Sequence, residues 1–239
     1  MRSLSRPGHA LALALALVLT GCTPEPSPDG RTGAYFLWAG VTPPPGLVRA
    51  ETVYLLAGEV RHGDPDRLVP LRAVPRIAGP SLWLVVRAER LDWGEGAHAQ
   101  LQRLLRQWRA AGNAVIGVQI DFDAATKGLA GYRTFLADLR RRLPPGTRLS
   151  ITGLLDWSAN GGLADLEGLA GLVDEIVVQT YQGRHTIPGY DRYLARLDRL
   201  DLPYRVGIVA DGGWREPATL RRDPHYRGTV EFLLAPARR

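Results

Sequence analysis

Eight short apolar segments, helical stretches between them and a polar alternation along the segments predict an α/β fold. The architecture they imply is a (β/α)8 TIM-type barrel, trimmed, with several non-helical connections. The same order of strands and helices also allows an open doubly wound sheet, which stands as the alternative. The chain has 239 residues, and the part after residue 32 has the length of one domain.

The predicted strands are 34–38, 52–58, 82–88, 115–122, 148–155, 175–181, 204–210 and 229–234. Leu101, Leu104, Leu105 and Trp108 repeat at helical spacing and stop at Gly112. Leu129, Tyr132, Phe135, Leu136, Leu139 and Leu143 do the same ahead of Pro144-Pro145. A shorter helix carries Leu163, Leu166 and Leu169, and a last one carries Tyr190, Tyr193, Leu194 and Leu197, with Pro203 beyond. The connections after the first, second and seventh strands are Pro-rich and show no need of a helix.

The fourth strand is the most informative. Ile116, Val118, Ile120 and Phe122 share one face, and Val115, Gly117, Gln119, Asp121 and Asp123 share the other. Strands of a parallel sheet are normally apolar on both faces. Two carboxylates on one face are tolerated where they are paired, hydrated or used. The alternation recurs in Ser150, Thr152, Leu154 and Asp156, in Glu175, Val177, Gln179 and Tyr181, in Arg205, Gly207, Val209 and Asp211, in Thr229, Glu231 and Leu233, and in Arg87 and Glu89. The expected result is a barrel with a polar interior and a site at the C-terminal ends of its strands.

Trp38, Trp93, Trp157 and Trp214 each sit at or just past the end of a predicted strand. Any one of them is explained by packing under a loop. Four of them beside Asp121, Asp123, Asp156, Gln179, Tyr181 and Asp211 point to a carbohydrate cleft, because flat rings stack on sugars while carboxylates and amides bind hydroxyls. Trp83 and Trp108 lie within a strand and on a helix's apolar face, and are expected in the core.

The N-terminus predicts the compartment. Arg2 and Arg6 precede the apolar run Leu11 to Leu19, too short to span a membrane, and Leu19-Thr20-Gly21-Cys22 matches a bacterial lipobox. Residues 1–21 are expected to be a signal peptide, Cys22 the lipidated residue, 22–32 a Pro-, Ser- and Gly-rich tether, and 33–239 a single barrel domain. With Thr23 rather than Asp after the cysteine, the expectation is an outer-membrane anchor facing the periplasm. Loss of Arg2 and Arg6 takes the formal net charge from +6 to +4. No basic stripe is interleaved with aromatics, so nucleic acid is not an expected partner. His62, His98, His185 and His225 are not at ligand spacing, and no phosphate loop, dinucleotide fingerprint or nucleophile elbow is present, so no metal or cofactor is expected.

Four stretches carry a resemblance: YLLAGEV (54–60), QIDFDA (119–124), LSITGLLDWS (149–158) and QTYQGR (179–184). With them the mature chain resembles a family of uncharacterised bacterial lipoproteins, the domain of unknown function 3142. The last three also resemble, more distantly, strands of the chitinase-like family 18 glycoside hydrolases. That resemblance implies a (β/α)8 barrel with Asp121 and Asp123 as motif carboxylates and Tyr181 as the site tyrosine. The motif's catalytic Glu falls on Ala125, the Asp after the tyrosine is Gln182, and the final-strand Trp is missing, so substrate-assisted cleavage does not carry over.

The chemistry also stands without the resemblance. Glycoside hydrolysis needs one protonated and one ionised carboxyl group. Two Asp on one strand face lie roughly 6.6 Å apart at Cα, and their repulsion raises one pKa. Glu231, Asp156 and Glu89 are alternative proton donors. The competing reading has Asp121 and Asp123 only bridging Arg87, Arg205 or backbone amides. The expected function is hydrolysis or modification of an envelope or exported glycan, with a non-catalytic glycan-binding or scaffolding lipoprotein as the alternative. Asp123 is the expected main carboxylate, with Asp121 tuning it and Tyr181 and Gln179 orienting the sugar. Asp156, Trp157, Asp211, Trp214, Trp38 and Glu231 are the remaining expected binding residues.

Overall fold

The computed structural model describes residues 33–123, 128–155, 167–197 and 201–234. Eight parallel strands follow one another around a single sheet: β1 (Ala34–Leu37), β2 (Thr52–Val60), β3 (Ser81–Ala88), β4 (Val115–Asp121), β5 (Arg148–Leu154), β6 (Glu175–Gln179), β7 (Tyr204–Val209) and β8 (Tyr226–Leu233). Each pairs with the next, and β8 returns to β1 through Ala34↔Val230 to Leu37↔Leu233. The barrel is closed, which excludes the open sheet.

Between the strands lie α1 (Glu95–Ala110), α2 (Leu129–Arg142) and the one-turn α3 (Tyr190–Leu194), the last shorter than its apolar period predicts. The shorter predicted helix lies mostly outside the described residues. The three Pro-rich connections are non-helical or nearly so. They use 3-10 turns at Pro45–Arg49 and Leu220–Arg222, and an extended piece, Leu68–Pro70, antiparallel to the end of β2. Tyr181–Gln182 and His185–Thr186 form a small hairpin after β6.

Two apolar compartments hold the barrel. Outside, Leu55, Leu84, Val118, Ile120 and Ile151 pack against Leu101, Leu105 and Trp108 of α1 and Tyr132, Leu136 and Leu139 of α2. Inside, Phe36, Tyr54, Trp83, Val177 and Phe232 form a second cluster. Phe36 stacks on Phe232 at 4.3 Å, and Tyr54 lies parallel to Trp83 at 6.0 Å. The interior is therefore aromatic on the side of β1, β2, β3 and β8, and polar mainly on the side of β4 to β7. The polar interior expected from the alternation is found on the β4 to β7 side, and the aromatic cluster replaces it on the other.

Two strands carry the correction in detail. On β8 it is Val230 and Phe232 that face inward, so Glu231 shares the outer face with its register partners Tyr35 and Ile208. The expected inward Glu231 is one residue out of phase, and such a slip turns every side chain over. Packing decides the sense: Phe232 stacks on Phe36 and fills the space over Gly207, where a Cβ would lie 2.8 Å from its ring. On β4 the register shifts between Leu82/Val115 and Trp83/Gly117, so Val115 joins the outer core and Ile116 packs against the inner cluster. The alternation read from the sequence holds from Gly117 onward.

A buried polar network closes the N-terminal end of the barrel. Glu175 accepts hydrogen bonds from Tyr54 Oη (2.5 Å), Ser150 Oγ (3.4 Å) and Arg205 Nε (3.2 Å), and Gln119 Nε2 donates to Ser150 Oγ at 2.9 Å. Burial and the Glu175 charge push the Tyr54 hydroxyl well above the usual tyrosine range, so it stays a donor. Arg205 also approaches Glu51 at 3.6 Å.

Candidate functional site

The opposite, C-terminal mouth holds the carboxylates. Asp121 ends β4 on the inward face, in register with Arg87 of β3, and is only 5 % exposed. Thr152 Oγ1 of β5 donates to Asp121 Oδ1 at 2.9 Å. Burial raises the Asp121 pKa above the usual carboxylate value; the Thr152 bond and the Arg87 charge oppose the rise, and the Asp123 charge adds to it. Asp123 lies two residues past the strand with its side chain 70 % exposed, 3.9 Å from Arg87 Nη2. One carboxyl is therefore sunk into the barrel and its neighbour stands in solvent.

Between the ends of β3 and β4 opens a polar cavity of about 300 Å³, walled by His62, Arg87, Glu89, Asp121, Phe122 and Asp123. Its rim is braced from the β2–β3 connection. The His62 amide donates to Glu89 Oε2 at 3.0 Å. Arg90 donates to His62 O at 2.5 Å while gripping both Asp92 carboxylate oxygens at 2.7 and 2.6 Å. Glu89 was legible as a candidate donor on the polar face of its strand. Arg87 was legible only as a bridge to the Asp pair. His62 had no signal, since only the fold carries its loop to the cavity.

Across the mouth, Tyr181 is half-buried and packs on Phe232, ring centroids 5.1 Å apart. Burial first, then the Asp121 and Asp123 charges, raise its hydroxyl above the usual range. The sequence-predicted trio Asp121, Asp123 and Tyr181 thus shares one electrostatic environment, although Tyr181 does not line the cavity. Gln179 ends β6 in register with Leu154 and Gly207. Trp38 packs on Phe36 at 4.7 Å, and its Nε1 is buried with no hydrogen-bond partner among the described residues. Arg72 closes the seam beside it, donating to Leu56 O at 2.9 Å and Trp38 O at 2.8 Å just beyond the last β1–β2 pair, Leu37↔Leu55.

The other expected residues are not gathered there. Trp93 is buried against Phe135 and His98, with Nε1 on Arg90 O at 2.9 Å. Trp214 packs on Tyr190 at 4.8 Å, and the Tyr190 hydroxyl bonds Arg215 O. Both rings therefore serve the outer layer rather than an open stacking platform. Asp211 is exposed in a left-handed conformation, φ 57°, at the end of β7, and its charge adds to the rise that burial causes in the outward Glu231. Asp156, Trp157, Ala125 and Cys22 lie outside the described residues. Among the described residues no cluster of three or more His, Cys, Asp or Glu is disposed to hold a metal ion.

The fold is that of a closed (β/α)8 barrel, similar to barrels of the family 18 glycoside hydrolases. A family 18 chitinase from Pseudoalteromonas aurantia superposes with a TM-score of 0.53 at 17 % identity, over 84 % of this chain and 94 % of that one. The spore cortex-lytic enzyme SleL of Bacillus cereus gives 0.54 at 16 %, over 74 % of this chain and 50 % of that one. A xylanase–α-amylase inhibitor protein, XAIP-I, in complex with trehalose gives 0.55 at 11 %, over 83 % and 91 %. In sequence, residues 84–196 match the family described as Domain of unknown function (DUF3142). That span holds the stretches at 119–124, 149–158 and 179–184 but not the one at 54–60, so the match is narrower than the resemblance over nearly the whole domain. No curated protein matches the chain.

Proposed function

We propose that this chain is an envelope lipoprotein, lipid-anchored through Cys22 and facing the periplasm, whose barrel binds a glycan at its C-terminal mouth. The observation that carries the reading is the cavity between β3 and β4. Its wall brings Arg87 and His62 together with the acids Glu89, Asp121 and Asp123. Interleaved donors and acceptors of this kind suit the vicinal hydroxyls of a sugar. The position that holds the family 18 proton donor is Ala125, which favours binding over cleavage. Barrels of this shape include enzymes named as chitinase and cortex-lytic enzyme and also an inhibitor protein held in complex with trehalose.

A second reading, hydrolysis, rests on one specific feature. Burial raises the pKa of Asp121, and Asp121 borders the same cavity as solvent-exposed Asp123. The two readings separate in one experiment. The purified full-length chain, Asp123→Asn and Arg87→Met are titrated with chitooligosaccharides, peptidoglycan fragments and exported polysaccharides, and products are followed by mass spectrometry. Saturable binding without products, weakened about tenfold or more by each substitution, is the expected result. Turnover by the wild type that Asp123→Asn abolishes establishes the hydrolase instead. Neither binding nor turnover across the panel overturns both.

A further inference from the structure

The end of the barrel opposite the cavity carries a different chemistry. Arg49 lies in the turn leading into β2, Arg76 beside Gly112 ahead of β4, Arg148 at the first position of β5, and Arg222 in the turn leading into β8. All four are exposed, and none has an ion-pair partner among the described residues; the Arg148 guanidinium lies over the Trp83 ring at 5.2 Å, which leaves Arg49, Arg76 and Arg222 as the outward charges. The acids of this end are largely engaged: Glu51 faces Arg205 at 3.6 Å, Asp174 holds Arg140 at 2.7 Å, and Asp223 accepts from Tyr204 Oη at 2.6 Å. Glu51, with half its side chain exposed, and Asp201, exposed opposite His225, are the acids here that reach solvent among those described. Next to Arg49, Val48 is the one large hydrophobic side chain left exposed among the described residues, at 58 %, and its carbonyl abuts Gly79 just ahead of β3.

The chain enters the barrel on this same end, because β1 begins at Ala34. Residues 22–32 span at most about 40 Å when fully extended. An acyl chain on Cys22 would therefore join the barrel at this end and not at the mouth. We infer that the N-terminal face of the barrel is a membrane-docking surface: its arginines rest on anionic lipid headgroups, Val48 enters the interface, and the mouth points away from the bilayer. The inference rests on the lipoprotein reading for the anchor but not for the face itself. An arginine near an anionic bilayer is attracted through the surface potential, and the attraction is screened within a Debye length.

The test uses the lipidated protein extracted from membranes and reconstituted into vesicles. One set is phosphatidylcholine alone, and the other contains phosphatidylglycerol at about one third, a fraction that supplies a strong negative surface potential. Environment-sensitive labels are placed on Val48→Cys and, at the mouth, on Gly63→Cys, and quenching by spin-labelled lipid is read. The expected result is quenching at Val48→Cys in the anionic vesicles only, and none at Gly63→Cys. Equal quenching at both sites, or no dependence on lipid charge, overturns the inference. In flotation of the unacylated protein at low salt, the Arg49→Glu/Arg76→Glu/Arg222→Glu triple variant should partition on the order of 100-fold more weakly, while Arg→Lys at the same positions should retain binding. A Lys triple as weak as the Glu triple would mean that fold and not charge was lost, and would also overturn it. Mass spectrometry of Cys22 tests the anchor separately. Should Cys22 be unacylated, flotation of the unanchored protein with the same vesicles still reads the arginine face, and the absence of binding there overturns it.

Discussion

Thr152 Oγ1 donates to Asp121 Oδ1 at 2.9 Å, so a carboxyl only 5 % exposed is oriented from the neighbouring strand. Thr152→Val keeps the shape and removes the donor. The expected cost is about 2 kcal/mol at neutral pH, the range for a hydrogen bond to a charged group. It should shrink in acid, where the carboxyl is protonated and needs the donor less. Urea unfolding of wild type and variant at pH 7 and pH 4 checks both statements.

Because burial raises the pKa of Asp121, the folded state holds this proton more tightly than the unfolded chain. The contribution is thus fully present below the ordinary Asp value of about 3.9 and is lost as pH rises through the elevated folded value. Asp121→Asn removes the loss. The variant should match the wild type in acid and exceed it in stability toward neutral pH, read as a difference in thermal midpoint across the series. A variant less stable at pH 7 than the wild type would contradict the burial argument.

His98 slopes the other way. It is buried at the start of α1, and burial followed by the Arg142 charge lowers its pKa, with Asp138 and Glu95 pulling back. The unfolded chain then binds the proton more readily, so stability is lost as pH falls below about 6.5. His98→Leu should flatten this part of the acid limb, visible as a smaller change in denaturation midpoint between pH 7 and pH 5.

Arg72 replaces a rung of the sheet. It bonds Leu56 O and Trp38 O where the β1–β2 ladder has ended. Arg72→Met leaves two carbonyls short of a donor and should cost about 2–4 kcal/mol. Arg72→Lys, with no fork to reach both oxygens, should recover less than half of that in urea unfolding.

Gly117 shows how tightly the interior is filled. A Cβ there would lie 2.3 Å from the Trp83 ring and 2.5 Å from Arg148 O. Gly117→Ala is expected to cost about 3 kcal/mol, at the upper end of overpacking. Gly63→Ala, with open space around it, should stay within about 0.5 kcal/mol.

Much of this was legible beforehand. The positions of the eight strands and the non-helical connections follow from a two-residue alternation in parallel strands separated by helical periods, and the inward sense of Gln119, Asp121 and Arg205 from their being polar on strands whose other face is apolar. The candidate site was legible only in part. Asp121 and Asp123 were marked by being carboxylates on a strand that should be apolar. His62 reaches the cavity from a connection with no periodicity, and Trp93 and Trp214 sit at strand ends yet pack outward on Phe135 and Tyr190.

The sequence by itself determined the fold class and the order of strands, because apolar periodicity and turn residues act locally along the chain. The match of residues 19–22 to a lipobox, from which an anchor is expected, is likewise a local pattern. Only the tertiary structure decided which face of β8 turns inward. Alternation has a period but no sign, and the sign came from two distant rings, Phe36 and Phe232, stacking across neighbouring strands. The same holds for the cavity and the arginine face. Each is assembled from residues far apart in the chain, which closure of the barrel brings to one end.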